Sequence, residues 1–381
     1  IPVARITDML EKPGETFDYD GQKLKYPDIK LVYWAGGNPF HHHQDLNRLV
    51  KAWQHPNTII VNEIWWNAQA RHADIIFPAN TALERNDLML NPRDPTIVAN
   101  KKSIDSFANS KSDYEIFSGL ANRLGFESTF TDNKNEMEWI EFLWEESKKI
   151  AKDFKINLPD FKKFWENGFY EVPCPDKKKI MFENFRNDPE NFPLKTPSGK
   201  IEISSDTIES FQLKDCLSHP SWFEPYEWLG KINKYTLHLI SNQPTHRLHG
   251  QLDNASDSRK SKIKDREPVL INSLDANKRS IKDDDIVMLY NDRGKVLAGA
   301  ILSEDVMPGV VVLSTGAWFD PNYNLNTEVH GNPNVLTNDV GTSSLGQGPT
   351  SHTTLIEIKK ASKEEIADVM IFNSLSFKEN T

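Results

Sequence analysis

The chain has 381 residues, of which 38% are hydrophobic and 26% charged, and a formal net charge of −10. That length suggests two or three domains with room for a sizeable core, and the acidic balance argues against nucleic acid as the main partner. No apolar run approaches the ~20 residues of a membrane-spanning helix. The only cysteines, Cys174 and Cys216, lie far apart and outside any CxxC spacing, which argues against an iron–sulfur cluster or structural zinc in this chain. They are expected as two buried free thiols.

In chain order, Val3 to Leu10 reads as a short helix, followed to residue 28 by a Pro/Gly/Asp-rich loop. Ile29 to Trp34 is an apolar, β-branched and aromatic run ending on Gly36-Gly37, a buried strand whose end must turn sharply. Leu46, Leu49, Val50 and Trp53 fall on one helical face. Thr58 to Val61 and Ile75 to Phe77 follow as strands. Strand, glycine turn, helix and strand make a βαβ unit of a parallel α/β sheet, where ligands collect at the strand C-terminal ends. Asn80 to Ser110 is polar and reads as a long surface loop. Ser112 and Glu115 have capping-box spacing before a helical stripe of Ile116, Phe117, Leu120 and Leu124.

Composition changes over residues 125–232: Trp139 to Ile150 is an amphipathic helix, Asp160 to Asn167 a shorter one, and proline-broken aromatic stretches follow. From Tyr235 the pattern becomes short strands: Tyr235 to Ser241, Val269 to Asn272, Ile286 to Asn291, Val296 to Ile301, Val310 to Ser314 and Thr353 to Lys359. Asp-Arg-Gly and Pro-Gly turns between them argue a small barrel. Residues 361–381 read as a short helix and a loose tail.

Several side chains carry two readings. His41, His42 and His43 invite a metal, yet no carboxylate or cysteine stands at a familiar ligand spacing. Glu63, just after a strand, could meet ribose hydroxyls or be a solvated loop acid. Arg85 could grip a phosphate in bidentate fashion or pair with Glu84 or Asp87. Asp113 could be a first-turn acid stabilised by the helix dipole. The polar run Ser241 to Gln251 supplies donors directly after a strand. The alternating charges of Asp253 to Lys264 read as a solvated face.

Tyr33-Trp34-Ala35-Gly36-Gly37-Asn38-Pro39-Phe40-His41-His42-His43-Gln44, then Asn62-Glu63, Ala73 to Ala79 and Leu83 to Asp87, resemble the molybdopterin oxidoreductases. Within them the Gly-Gly-Asn-Pro-Phe with its His-His-Gln tail is most similar to the dimethyl sulfoxide, trimethylamine N-oxide and biotin sulfoxide reductases. Ile240 to Gln251, Asn334 to Thr337 and Gly341 to His352 resemble the same family's later signatures, and Thr196 to Ile203 its turn-plus-strand. The resemblance implies a C-terminal portion of the parallel-sheet, Rossmann-like α/β domain at 1–124, a helical and irregular connecting region at 125–232, a double-psi β-barrel binding the dinucleotide at 233–360, and a tail at 361–381.

It further implies a bis(molybdopterin guanine dinucleotide) molybdenum cofactor. The contacts it carries over are Gly37, Asn38, His43, Gln44, Asn62, Glu63, Arg85 and Asp113, with Asp113 accepting the Watson–Crick N–H groups of guanine. Later in the chain they are Ser241, Gln243, His246, Arg247, Leu248, His249, Gln251, Asn334, Gln347 and His352. Ile1 matches a point deep inside the family's polypeptide, so the chain is expected to be a C-terminal half, partnered by the N-terminal half of the same polypeptide. The metal-ligand serine would lie upstream, leaving no catalytic residue and no metal ligand here. The implied reaction is removal of oxygen from a small N-oxide or S-oxide, fed by a donor such as a c-type cytochrome, in the periplasm, with the cytoplasm as the alternative. The alternatives are a nitrate reductase or formate dehydrogenase type of the same superfamily, or a non-catalytic cofactor-binding or assembly module.

Overall fold

The computed structural model describes residues 1–174, 180–231 and 234–373. Helix α1 (Ile6–Glu11) follows a single turn at Val3–Arg5. The stretch expected as a loop before residue 28 holds a hairpin, β1 (Thr16–Tyr19) and β2 (Gln22–Lys25). Strands β3 (Leu31–Ala35), β4 (Thr58–Glu63) and β5 (Ile75–Pro78) form the parallel sheet in that order. Helix α2 (Leu46–Ala52) joins β3 to β4. Three residues of its predicted stripe, Leu46, Leu49 and Trp53, are each within 1% of fully enclosed, and Val50 is half-buried.

The expected surface loop 80–110 is instead a hairpin of β6 (Asp87–Asn91) and β7 (Asp94–Asn100), extended by β8 (Phe169–Glu171). Its polar Asn and Asp residues sit at the turns, and the Leu88, Ile97 and Ala99 side chains between them supply an apolar face that composition averaged away. That face packs with Trp144 and Phe164, whose rings stack at 3.7 Å. Helices α3 (Asp113–Leu124), α4 (Glu136–Asp153) and α5 (Phe161–Asn167) lie where periodicity put them.

All six predicted strands of the last region are present: β9 (Leu237–Ile240), β10 (Pro268–Ile271), β11 (Ile286–Tyr290), β12 (Lys295–Leu302), β13 (Val310–Leu313) and β14 (Thr354–Lys360). They close in the order β10-β13-β9-β14-β11-β12 and back to β10. Two contacts, β10 with β12 and β13 with β9, are parallel. Closure removes the open sheet edges that invite mispairing.

The chain divides into two compact units. Unit 1 comprises Ile1–Val61, Trp65–Ile75 and Ile203–Thr381, and unit 2 comprises Asn62–Ile64 and Ile76–Glu202. This division cuts across the segments drawn from sequence. Within unit 1, Leu10, Phe40, Leu46 and Leu49 share one core with Leu239, Val269, Val287 and Val311 of the barrel. Each such fully buried side chain contributes ~1.5–3 kcal/mol.

Four further expectations change. Thr196 to Ile203 keeps its turn, with Gly199 at φ +69°, but forms no strand. The two thiols are free but not buried; Cys174 is exposed and Cys216 half-buried. Asp253 to Lys264 is a solvated face only in part: Asp257, Arg259, Lys260 and Lys264 are exposed, but Asp253, Ser258 and Lys262 are enclosed in a buried charge set. The tail is not loose as far as Asn373: after a single turn at Lys363–Glu365, Ile366, Ala367 and Val369 pack on Met288 and Leu297. Phe372 meets the Trp318 and His330 rings. The remaining tail, and the expected boundary at 232/233, lie outside the described residues.

Candidate functional site

In unit 1 the glycine-rich turn is built as the sequence requires. Gly36 and Gly37 take φ of +79° and +75°, a region that other residues enter only with strain. Trp34 Nε1 donates to the Gly37 carbonyl at 3.1 Å. Asn38 then caps one helical turn, Pro39–His42, accepting from the Phe40 N–H at 3.0 Å. His41 is buried and stacks on Trp318; burial drives its pKa down to about 3, so the ring is neutral. His42 is exposed, so the three histidines do not share a face.

His43 is buried with Nδ1 2.9 Å from the Gln44 carbonyl oxygen, while Nε2 has no partner among the described residues. Gln44 is buried and donates to the His42 carbonyl at 3.0 Å. Arg48 joins Asp8 and Glu11, each at 2.6 Å, and Asp339 at 3.3 Å. Burial raises the Asp339 pKa against the opposing pull of His43, Arg5 and Arg48.

A second Gly-Asn-Pro turn, Gly331-Asn332-Pro333, repeats the architecture of the first. Asn332 caps a short turn, accepting from the Asn334 N–H at 3.0 Å. Its amide donates to the carbonyls of Phe40 (3.1 Å) and Ala317 (2.9 Å), and Asn334 donates to the His41 carbonyl at 3.2 Å. The two turns thus interlock. Asn332 was missed by sequence reasoning, although the repeated tripeptide was a readable signal. Glu328, buried beneath this loop, accepts the N–H groups of Asp320, His330, Gly331 and Asn332 at 2.7–3.1 Å.

The loop after β9 separates holding from presenting side chains. Gln243 bonds His249 twice, at 2.9 and 3.0 Å. A side chain at Gly250 would run into the His41 ring, so only glycine lets the backbone pass. His246, Leu248, His249 and Gln251 are exposed, and Ser241 is half-buried. Arg247 turns the other way. Its side chain is 1% exposed, and the guanidinium meets the Thr315 carbonyl (3.0 Å), Ser258 (3.1 Å), Glu267 (3.1 Å) and Asp253 (3.4 Å). Lys262 completes this set, 2.9 Å from both Asp253 and Glu267. Burial alone would raise the Asp253 pKa, but His330, Lys262 and Arg247 hold it well below the carboxylate range. Gln347, at φ +53°, donates to the Asp18 carbonyl. His352 is exposed, and its carbonyl accepts from His238 at 2.7 Å.

Unit 2 presents a cavity of about 380 Å³. Arg85, Asp113, Glu136, Tyr114, Phe130 and Trp139 are among its lining residues. Ser112 caps α3, which sets Asp113 in the first turn. Asp113 Oδ1 accepts from the buried Asn62 amide at 2.8 Å, and Oδ2 accepts nothing among the described residues. Arg85 pairs with Asp87 through Nη1 only. Glu84 is drawn away to cap Thr81. Glu63 Oε1 accepts from the Ile64 N–H at 2.9 Å. The cavity therefore gathers Arg85 and Asp113 from the predicted residues and adds Trp139, on a helix read only for its amphipathicity, and Glu136, which lay before the start expected for that helix.

Family comparison matches residues 7–123 to "Molybdopterin oxidoreductase" and residues 237–355 to "Molydopterin dinucleotide binding domain". The biotin sulfoxide reductase of Cereibacter sphaeroides is 46% identical over 94% of this chain and 48% of its own length. The trimethylamine-N-oxide reductase of Haemophilus influenzae is 45% identical over 94% of this chain and 45% of its own. The chain belongs to the molybdopterin oxidoreductases. It spans about half the length of the curated relatives it matches. Among solved structures, the fold of this molybdopterin oxidoreductase is shared by acetylene hydratase from Pelobacter acetylenicus, with a TM-score of 0.68 at 16% identity over 88% of this chain and 45% of that one.

The residues fit a molybdopterin guanine dinucleotide. His43 Nε2 is a buried polar atom without a partner among the described residues, and the unit 2 cavity combines a carboxylate, a guanidinium and aromatic faces. No helix is long and apolar enough to cross a membrane among the described residues.

Proposed function

We propose that this chain is part of a molybdenum-dependent reductase that removes oxygen from a small N-oxide or S-oxide, holding bis(molybdopterin guanine dinucleotide). The observation that carries the reading is identity of 44–46% over 94% of the chain to three reductases named for biotin sulfoxide, trimethylamine N-oxide and dimethyl sulfoxide. When bound, the cofactor supplies a centre that exchanges two electrons at once, as release of the oxygen as water requires together with two protons.

The chain's own residues hold and orient. In unit 2, Asp113 accepts paired N–H groups of a guanine edge and Arg85 meets phosphate through its unengaged N–H groups. Asn62 fixes the Asp113 rotamer, and Glu63 meets ribose hydroxyls. In unit 1, Gly37 lets backbone come close to the ligand, and His43 Nε2, His246, His249, Gln251 and His352 offer polar contacts. Ser241, Gln243 and Leu248 line the same loop. Asn38, Gln44, Arg247, Asn334 and Gln347 act mainly by fixing the backbone that presents these groups. An electron donor such as a c-type cytochrome and a periplasmic location rest on the family resemblance alone.

The test is molybdenum and guanine nucleotide analysis of the full-length protein, with a reduced-viologen assay on trimethylamine N-oxide, dimethyl sulfoxide and biotin sulfoxide. Turnover of at least one is expected; a molybdenum-free protein inert to all three would sink the proposal. Asp113→Asn, which places an N–H₂ against the base's N–H groups, is expected to weaken guanine nucleotide retention about tenfold or more. Retention equal to wild type would remove Asp113 from the base site.

A further inference from the structure

We propose that Glu136 is a second base-reading residue of the unit 2 cavity, accepting the outer N–H of a purine's exocyclic amino group and so selecting guanine over hypoxanthine. This rests on the reading of that cavity as a guanine site.

Guanine carries three N–H hydrogens on its Watson–Crick edge, one on the ring and two on the amino group. A single carboxylate spans two of them. The third points away from that pair and, if left unmet in an aromatic-walled cavity, weakens binding by its lost solvation. Asp113 is placed to take the first two: Asn62 holds its Oδ1, and Oδ2 accepts nothing among the described residues. Glu136 supplies the other acceptor. Its Oε1 accepts both the backbone N–H of Asn86 (3.1 Å) and the Asn86 amide (3.0 Å), and its Oε2 accepts no bond among the described residues. It is half-buried and lines the same cavity as Asp113.

The helix around Glu136 is arranged for this. Glu136, Trp139, Ile140 and Leu143 stand at i, i+3, i+4 and i+7 of α4, and all four line the cavity. Asn135 and Glu138 form a capping box that fixes the first turn of α4, where Glu136 stands. Trp139 is held by its Nε1 donating to the Thr131 carbonyl at 3.0 Å, with Lys134 Nζ 4.7 Å from the ring centre. A pinned indole beside two carboxylates provides a flat face for a base and acceptors at its rim. The competing role for Glu136, as a tether for the Asn86 backbone, uses Oε1 alone and leaves Oε2 without a purpose.

Glu136→Gln separates the two roles. The glutamine carbonyl keeps the Asn86 bonds while an N–H₂ replaces Oε2. The measurement is calorimetric or saturation-transfer NMR binding of GMP, IMP and AMP to the cofactor-free full-length protein. The wild type is expected to rank GMP above IMP and IMP above AMP. In Glu136→Gln, GMP is expected to weaken about tenfold with IMP unchanged, because IMP lacks the amino group; unchanged IMP also reports an intact cavity. In Asp113→Asn, GMP and IMP should weaken together. If Glu136→Gln leaves the GMP/IMP ratio where it was, whether both fall or neither moves, the proposal is wrong and the guanine site stands on Asp113. If the wild type binds AMP as well as GMP, or binds none of the three, the guanine reading itself fails.

Discussion

The two units handle polar side chains in opposite ways. Unit 1 buries ionisable groups: Arg5, Asp253, Glu267, Asp275, Asp320, Glu328 and Asp339 are all enclosed, and most are bonded to one another or to backbone. Among its described residues, unit 2 buries one ionisable side chain, Glu84, which caps a turn. Three of its other charged groups, Arg85, Asp113 and Glu136, line a cavity with oxygens or N–H groups still unengaged. The difference teaches how a polar motif is to be read. In unit 1 polar residues mainly fix a backbone, and a few polar tips are left exposed. In unit 2 the polar side chains of the cavity keep atoms free for a ligand.

The largest effect that would break this comparison lies in the Arg247–Asp253–Lys262–Glu267 set. Lys262→Met leaves two carboxylates short of a counter-charge at sites 0–4% exposed. Removing one partner from a buried charge set costs about 3–5 kcal/mol. Hydrogen exchange should therefore show protection falling in unit 1, most steeply over 241–262 and 318–334, with unit 2 much less changed. An equal loss in both units would show that the set is not a local device. Lys262 reaches no exposed surface, so a parallel fall in cofactor retention would support Arg247 as a positioning residue. Retention that drops in Arg247→Met but not in Lys262→Met would assign Arg247 a direct contact instead.

Much of the fold was legible because its signals are periodic. The six barrel strands, α2 and its buried stripe, and the Ser112 cap followed from alternation, helical spacing and capping chemistry. The hairpin at Asp87–Asn100 was missed because its turn residues dominate the local composition while its apolar side chains meet α4 and α5, far away in sequence. For the candidate site residues the sequence showed positions but not which side chains are enclosed. His249 and Arg247 stand two residues apart in one motif, yet one is exposed and the other enclosed, because Asp253, Lys262 and Glu267 lie beneath. A sequence shows that charges alternate between Asp253 and Lys264; only the fold shows that Asp253 and Lys262 turn inward and close on each other.

Acid should sharpen the comparison next. All eleven histidines fall within unit 1. An unfolded histidine takes up its proton near 6.5, whereas His41 and His330 in the fold do so only at about 3. Between those values the unfolded state binds more protons, so their contribution is complete above pH 6.5 and lost as pH falls towards 3. Each removes ~1.4 kcal/mol per pH unit over that window. Glu328, raised by burial to about 8, acts in the opposite sense, as do Asp45, Asp320 and Asp339. The clean measurement is therefore a difference. His41→Gln should flatten the pH dependence of unit 1 unfolding by about one proton between pH 6 and 4, in urea titrations read by hydrogen exchange. An unchanged slope would mean that His41 is charged in the fold.

The smallest expected effect is at the cap of α3. Ser112 is buried, accepts from the Glu115 N–H at 3.2 Å, and receives the Glu115 carboxylate on its own N–H at 2.8 Å. Ser112→Ala removes one half of that exchange and should lower unit 2 stability by ~1 kcal/mol, the usual worth of a helix cap. Ser112→Asp keeps an acceptor at the cap and should recover most of it. The informative readout is not stability but GMP affinity. Asp113 is the next residue, and its placement depends on the first turn being closed. If the cavity holds guanine as proposed, a frayed first turn should weaken GMP and IMP by the same few-fold factor and leave their ratio alone. In unit 1 a comparable cap sits at Asn332, whose amide is also tied to the Phe40 and Ala317 carbonyls, so its loss should disturb the backbone of two turns at once. Should Ser112→Ala lower stability without touching nucleotide affinity, the orientation of Asp113 would have to come from Asn62 alone.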